Sequence, residues 1–163
     1  CDVDEVGEIV GTSAFIMRGY HNQPEKTRET EWYDEEGVRH IRTGDIGRFD
    51  ADGFLTLMDR KKDMIISGGF NIYPSDIEAI LATHPDIVES AVVGVPSDEW
   101  GETPVGFFVL REGASTSGED LRLWLNERVG KTQRLNAAVV LPQLPRSAIG
   151  KILKRELRDE FKA

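Results

Sequence analysis

The chain has 163 residues, of which 39% are hydrophobic and 30% are charged, and its formal net charge is −9. This ordinary globular composition excludes collagen-like, low-complexity and fully disordered proteins. The acidic balance argues against a protein that binds nucleic acid or anionic membranes through phosphate contacts, and the apolar runs are far shorter than the roughly 20 residues of a membrane-spanning helix. We therefore expect no nucleic-acid partner and no membrane span.

The cysteine and histidine content excludes further classes of site. Cys1 is the single cysteine, so the chain has no internal disulfide and no cysteine cluster for a metal. The three histidines, His21, His40 and His84, show no ligand spacing. The acidic start over 1–5 is unlike a signal peptide, which is basic and then apolar. We expect a cytoplasmic protein without a metal site and, because no initiator Met precedes the first strand, a fragment of a longer chain.

Residues 1–60 predict a small antiparallel β unit. A β-prone stretch near the start is followed by a short polar segment of one or two helical turns at 24–30. Turn sequences at 34–37 and 50–53 separate further strand-forming runs, and the second ends in Asp-Gly, which favours a tight reversal. This part holds 14 acidic and 7 basic side chains, whereas 61–163 hold 15 and 13, so most of the net charge lies in the β unit.

A run of charged residues, Asp59-Arg60-Lys61-Lys62-Asp63, follows the β unit and indicates a boundary, with a hinge at 61–63. Beyond it, strand, helix, two strands, helix, strand and helix succeed one another, which is an α+β order for 64–163. The expected elements are a strand at 64–66, helices beginning at Ser75 and near Ser117, strands at 87–95, 104–111 and 137–141, and a basic amphipathic helix at 152–161. Ser75 and Glu78 have the spacing of a capping box, and Asp120 lies three residues after Ser117.

Four places are candidates for chemistry, and each has a purely structural alternative. Gly68-Gly69 after an apolar strand is either a tight turn or a close approach of the backbone to a ligand. Asp45 either caps a turn or accepts two hydroxyl donors, as a ribose diol offers. Trp100 is either a packing anchor or a stacking surface for a base. Lys151 is either a solvated residue at a helix start or a mobile cation for an anionic ligand.

The order and spacing of several motifs, taken together, closely resemble the C-terminal third of the adenylate-forming superfamily, which contains acyl- and aryl-CoA synthetases, luciferases and adenylation domains. The matching segments are Gly7-Glu8-Ile9, Arg18-Gly19-Tyr20, Arg42-Thr43-Gly44-Asp45, Asp59 to Asp63 with Ile65, Gly68-Gly69, Asn71-Ile72, Pro74 and Ile77-Glu78, and Leu144-Pro145-Arg146 to Gly150-Lys151. The resemblance implies a small α+β lid domain over 64–163, with a three-stranded-core sheet and helices. The antiparallel unit at 1–60 would then be the end of a large N-terminal domain.

The resemblance also implies a role for each matched residue. Asp45 would accept the ribose hydroxyls of ATP or AMP, and Arg60 would contact the ribose and phosphate beside it. Lys62 would be the hinge residue. Lys151 would be the adenylation lysine, which bridges the acyl carboxylate and the α-phosphate as charge develops. The residues that would contact coenzyme A after a swing of the lid are Ser67, Gly68, Gly69 and Trp100.

The implied activity is that of an AMP-forming acid–CoA ligase of the kind used in fatty acid metabolism. A carboxylic acid reacts with ATP to give an acyl-adenylate and pyrophosphate, and the thiol of coenzyme A then displaces AMP. ATP, AMP and coenzyme A are thus the implied ligands, with Mg²⁺ expected to accompany ATP. The family's phosphate-binding loop and acyl pocket lie upstream of the matched part, in the missing N-terminal domain. We therefore expect the 163-residue chain alone to make no acyl-adenylate.

Two other functions stay open. An adenylation unit of the same fold would acylate a carrier protein, although Ser67-Gly68-Gly69 favours coenzyme A. A non-catalytic interaction module would keep only the fold, and the retained Asp45, Arg60 and Lys151 argue against it. The chain departs from many family members at Ile41, where they have an aromatic residue, and at 132–135, where they have a Tyr-Lys-x-Pro-like segment.

Overall fold

The computed structural model describes residues 2–161, which fall into two compact units, Cys1–Lys62 and Asp63–Ala163. Across the described residues, no helix combines the length and the apolar character needed to cross a membrane.

The first unit is an antiparallel sheet built around one long strand. Its elements are β1 (Gly7–Gly11), α1 (Pro24–Thr30), β2 (Glu31–Tyr33), β3 (Arg39–Phe49) and β4 (Leu55–Arg60). Strand β3 pairs with all three of the others. The turn from β3 to β4 follows its sequence signature, because the Asp50 carboxylate accepts hydrogen bonds from the amides of Asp52 and Phe54 and Gly53 has a φ of 81°.

The charged run after the β unit is only partly a connector. Asp59 and Arg60 belong to β4 and pair with Ile46 and Asp45 of β3. The segment that joins β4 to the next strand is a short turn at 61–63.

The second unit is a sheet with helices. Its elements are β5 (Ile65–Ser67), β6 (Phe70–Ile72), α2 (Pro74–Leu81), β7 (Ile87–Ser97), β8 (Gly101–Leu110), α3 (Gly118–Asn126), a 3₁₀ turn (Lys131–Gln133), β9 (Ala137–Val140) and α4 (Lys154–Phe161). Strands β7 and β8 pair antiparallel along their whole length, and β9 pairs with β8 in parallel. The α+β class with a core of three strands is thus confirmed. A short β5–β6 hairpin, joined to β8 at Ser67, extends this sheet.

Both faces of the second sheet carry a hydrophobic core, which explains its unbroken apolar runs. Neighbouring residues of a strand point to opposite faces, so Val92 and Phe108 pack with α2 and α3, whereas Val93 and Phe107 pack with Leu157 of α4. The buried residues of the first cluster are Ile65, Ile72, Ile77, Leu81, Ile87, Val92, Phe108, Leu121, Leu125 and Leu135. Those of the second are Ala91, Val93, Val95, Val105, Phe107, Leu144 and Leu157.

One of the two serine caps forms and the other does not. At the start of α3, Ser117 and Asp120 form a capping box, and the hydrogen bond from the Ser117 hydroxyl lowers the pKa of the Asp120 carboxyl. The capping box expected at Ser75 is wrong, because α2 begins one residue earlier, at Pro74, without a side-chain cap. Glu78 instead accepts hydrogen bonds from the Val92 amide at 2.7 Å and from Lys154 Nζ at 2.8 Å.

Candidate functional site

Asp45 and Arg60 lie side by side in the first unit, although 15 positions separate them in the sequence. The antiparallel register of β3 and β4 places them opposite each other, and Arg60 Nε lies 3.1 Å from Asp45 Oδ1. Arg60 also donates to the Thr43 carbonyl at 3.3 Å, and the Asp45 amide donates to Thr43 Oγ1 at 3.1 Å. The Asp45 side chain is 39% exposed, so its carboxylate remains accessible to hydroxyl donors of a ligand.

Glu8 supports this corner of the first unit; the sequence placed it in a matched motif segment but gave it no role. Its carboxylate accepts hydrogen bonds from Lys61 Nζ at 2.9 Å and from Arg42 Nη1 at 3.1 Å. Partial burial by itself raises the pKa of Glu8, but the hydrogen bonds and charges of Lys61 and Arg42 outweigh it, so the pKa is lowered. Glu8 therefore stays ionised and ties β1 to β3 and to the residue that follows Arg60. A lone Glu in a β-prone stretch carries no signal of such a partner.

The Gly68-Gly69 segment is both a tight turn and a close packing contact. It joins β5 to β6 with φ values of 57° and 82°, which suit glycine at both central positions of a hairpin turn. The Gly68 amide donates to the Trp100 carbonyl at 2.9 Å. A Cβ atom on Gly68 would lie 2.9 Å from Cε3 of the Trp100 ring, whereas one on Gly69 would meet open space. Ser67 is buried and Trp100 is 52% exposed, so the Trp100 indole provides the exposed surface beside this turn.

A groove of about 550 Å³ opens beside this surface. Its aromatic lining comes from Phe70 and Trp100, and its basic lining comes from Arg122, Lys131 and Arg134. The full lining is Ser67, Phe70, Trp100, Thr103, Pro104, Arg122, Leu123, Asn126, Lys131, Thr132, Arg134, Leu135 and Asn136.

The charges of the groove are suited to an anionic ligand. Arg122 is occupied by Glu119, at 2.8 and 2.5 Å, whereas Lys131 and Arg134 have no ion-pair partner within residues 2–161. Two uncompensated cations beside an exposed indole fit a ligand that carries both a planar ring and phosphate groups. Sequence reasoning gave no role to either residue: Arg134 lies at 132–135, where the chain departs from the family motif, and Lys131 directly precedes that segment.

Lys151 is an exposed residue of the loop between β9 and α4. It lies three residues before α4, which begins at Lys154, so the expectation that it stands at a helix start is wrong. Its ammonium group has no ion-pair partner in the part of the chain that the structure describes. Lys151 does not line the groove beside Trp100. It therefore presents a free point charge at a different place on the second unit.

Two further features complete the picture of the predicted residues. Lys62 is the last residue of the first unit and lies in the turn at 61–63. Over residues 2–161, no group of three or more His, Cys, Asp or Glu side chains is arranged to hold a metal ion.

The known proteins that match this chain are about three times its length, and the matched part is about 30% of each. Residues 76–151 match the family described as AMP-binding enzyme C-terminal domain. The chain is 41% identical over 157 residues to a 2-succinylbenzoate–CoA ligase from Geobacillus kaustophilus, an alignment covering 94% of this chain and 30% of that protein. It is 40% identical over 155 residues to 4-coumarate–CoA ligase-like 9 from Oryza sativa, covering 95% and 27%.

Solved structures give the same result for the fold. ATP-bound MatB from Rhodopseudomonas palustris matches with a TM-score of 0.89 and 31% identity, over 99% of this chain and 31% of that one. The o-succinylbenzoate CoA synthetase of Bacillus subtilis in complex with its acyl-adenylate intermediate matches with a TM-score of 0.82 and 34% identity, over 100% and 31%. The chain thus spans about 30% of the length of the relatives it matches.

Proposed function

We propose that the chain is the C-terminal part of an AMP-forming acid–CoA ligase, because residues 76–151 match the family described as AMP-binding enzyme C-terminal domain. The whole enzyme would convert a carboxylic acid and ATP to an acyl-adenylate and pyrophosphate, and would then transfer the acyl group to coenzyme A. The observation that carries the proposal is the exposed Lys151 ammonium, free of any ion pair to a described residue and inside the matched segment. A free lysine is suited to attract two anionic reactants at once.

The proposed organisation follows the two compact units. Residues 1–60 would end the large domain, 61–63 would form the hinge around Lys62, and 64–163 would form the mobile lid. The division of the chain between Lys62 and Asp63 supports this assignment. We place the enzyme in the cytoplasm, and Mg²⁺ would arrive bound to the phosphates of ATP.

In the adenylation step, this chain would contribute positioning and charge rather than a nucleophile. Asp45 would accept the two ribose hydroxyls of ATP, and Arg60, already 3.1 Å from Asp45, would hold that carboxylate in place and contact the adjoining phosphate. The carboxylate oxygen of the acid attacks the α-phosphorus and pyrophosphate leaves. Lys151 would stabilise the negative charge that develops on the phosphoryl oxygens, an effect that is strongest where water is excluded.

Coenzyme A is the favoured acceptor because of the groove beside Trp100. The adenine ring of coenzyme A could stack on the exposed Trp100 indole, and its phosphates would be attracted by the uncompensated cations of Lys131 and Arg134. The phosphopantetheine arm of a carrier protein has no adenine ring, so the aromatic part of the groove would stay unused. Ser67, Gly68 and Gly69 would flank the path of the pantetheine, since Gly68 packs without a Cβ against Trp100.

The proposal is tested by expressing and assaying the full-length protein encoded by the complete reading frame that contains this chain. We expect acid-dependent ATP–pyrophosphate exchange over a panel of short, medium, long and aryl acids, and thioester formation with free coenzyme A. The 163-residue chain alone should show no exchange. In Gly68→Ala, strain at a φ of 57° and the clash with Trp100 should raise the KM for coenzyme A and leave exchange unchanged, with Gly113→Ala, a glycine of similar φ in open space, as the control.

Three results would contradict the proposal or a part of it. A reading frame without an upstream domain, or exchange catalysed by the 163-residue chain alone, would contradict the assignment as a C-terminal part. Acyl transfer to a carrier protein but not to coenzyme A would contradict coenzyme A as the acceptor.

Asp45→Asn is expected to weaken ATP binding. An amide oxygen is a weaker acceptor than a carboxylate for two ribose hydroxyls, and hydrogen bonds to charged groups contribute about 1.5–3 kcal/mol, so the KM for ATP should rise roughly 10- to 100-fold. Initial rates of pyrophosphate release at varied ATP concentration measure it. Asp52→Asn, in the exposed turn between β3 and β4, is the matched control, and an unchanged KM in Asp45→Asn would remove Asp45 from the nucleotide site.

A further inference from the structure

The loop that carries Lys151 is closed by its own backbone. Arg146 and Ile152 form an antiparallel bridge, and the Leu153 amide donates to the Pro145 carbonyl at 2.8 Å. Inside this bridge, the Ser147 amide donates to the Lys151 carbonyl at 2.8 Å. Lys151 thus lies next to the tip of this loop. The direction of the Lys151 side chain depends on the two peptide planes that flank the residue.

One guanidinium group joins the tip of this loop to the sheet. Arg146 Nη1 donates to the carbonyl of Gly150 at 2.5 Å, and Arg146 Nη2 donates to Glu89 Oε1 at 2.5 Å. The Gly150 carbonyl belongs to the peptide bond that leads into Lys151, and Gly150 itself has a φ of 81°. Arg146 therefore holds the peptide plane that orients the Cα–Cβ bond of Lys151.

Glu89, which accepts the second hydrogen bond from Arg146, lies on a buried strand. Glu89 lies on β7 directly after an irregularity in the pairing with β8, where the register shifts between Ile87 and Glu89. Such bulges redirect side chains. From Ala91 to Val95 the same strand is buried. The base of the loop is anchored as well, because Leu144 is buried in the core cluster of β7 and α4.

We propose that Arg146, held by Glu89, is a positioning residue for Lys151 in the adenylation step, an inference that rests on the proposed function. The Arg146 and Glu89 side chains are 41% and 35% exposed, and ion pairs exposed to this extent contribute little to stability. The ion pair instead fixes a position, because the reaction needs the Lys151 ammonium group at one place between the carboxylate of the acid and the α-phosphate of ATP. A misplaced charged group loses rate even when the fold is intact.

In the full-length enzyme, Arg146→Ala and Glu89→Gln are expected to lower the kcat of acid-dependent pyrophosphate exchange roughly 10- to 100-fold, with the KM for ATP changed less than about twofold. Arg146→Lys should fall between the wild type and Arg146→Ala, because one ammonium reaches the Gly150 carbonyl and Glu89 less well than a planar fork. Arg48→Ala, which removes a similarly exposed ion pair with Asp4, is the matched control and should leave kcat unchanged.

A double variant separates positioning from a structural role. In a Lys151→Ala background, Arg146→Ala should have no further effect on the residual rate, since no lysine remains to be positioned. If the two effects multiply instead, Arg146 acts independently of Lys151 and the inference is wrong.

Amide hydrogen exchange on the 163-residue chain supplies a readout that needs no activity. Exchange at Ser147, Gly150 and Leu153, whose amides close the loop, should rise about tenfold in Arg146→Ala, as expected for the loss of the charge-assisted hydrogen bond to the Gly150 carbonyl, and exchange in β7 should stay constant. Unchanged exchange at these amides would overturn the inference even in an active enzyme. An inactive wild-type enzyme with this exchange pattern would overturn the proposed function, and with it the role of Arg146 in catalysis, but would leave established that Arg146 holds the loop.

Discussion

Replacing Lys151 with alanine in the full-length enzyme is expected to reduce acid-dependent ATP–pyrophosphate exchange by about 100- to 1000-fold, the range typical for loss of one group that stabilises charge in a transition state. The ammonium group is exposed, and no described residue neutralises it, so its full charge is available to the reactants. Since the role proposed for Lys151 is at the α-phosphate, thioester formation from a supplied acyl-adenylate should change little. The two half-reactions, assayed separately, measure this difference.

Arg155→Ala is the matched control for Lys151→Ala. Arg155 is an exposed cation on α4, four residues away, and no ion pair is observed for it in the described part of the chain. If general positive charge near the loop were sufficient, the two variants would lose activity equally. Undiminished adenylation in Lys151→Ala would instead favour a non-catalytic interaction module of the same fold.

Phe108→Ala is expected to destabilise the second unit by about 3–5 kcal/mol, the usual range for truncation of a buried phenylalanine. Phe108 is fully buried near the C-terminal end of β8, against the core residues of α3. Gly106 leaves room for its ring, since a Cβ at that position would lie 2.6 Å from Phe108 Cζ. The core is therefore packed closely around the Phe108 ring, and we expect neighbouring side chains to fill little of the cavity that Phe108→Ala leaves.

The opening free energy of β7 and β8, measured by amide hydrogen exchange, reports the stability of the second unit by itself. Val88→Ala, on β7 and 55% exposed, should change this free energy by less than about 0.5 kcal/mol. An effect of Phe108→Ala as small as that of Val88→Ala would show that the ring is not part of a tightly packed core.

Local sequence patterns predicted most of the elements because each depends on residues close together in the chain. The Asp-Gly turn after Phe49 and the capping box at Ser117 each form from side chains within four positions of one another. The cap expected at Ser75 failed for a nonlocal reason. Glu78 bonds to Val92 and Lys154, which no pattern around Ser75 contains, and Pro74 occupies the first helical position at no cost in hydrogen bonds.

The sequence by itself determined the α+β class, because that class rests on periodicity and turn chemistry. It also predicted a boundary after residue 60, and the resemblance of its motifs to a known family predicted Asp45, Arg60 and Lys151 as site residues. Only the tertiary structure decided which groups meet. Strand register placed Arg60 beside Asp45, and packing of the loop on β7 brought Arg146 to Glu89, 57 positions away. Such contacts form only when distant segments fold together, so each partner taken alone looks like an ordinary charged surface residue.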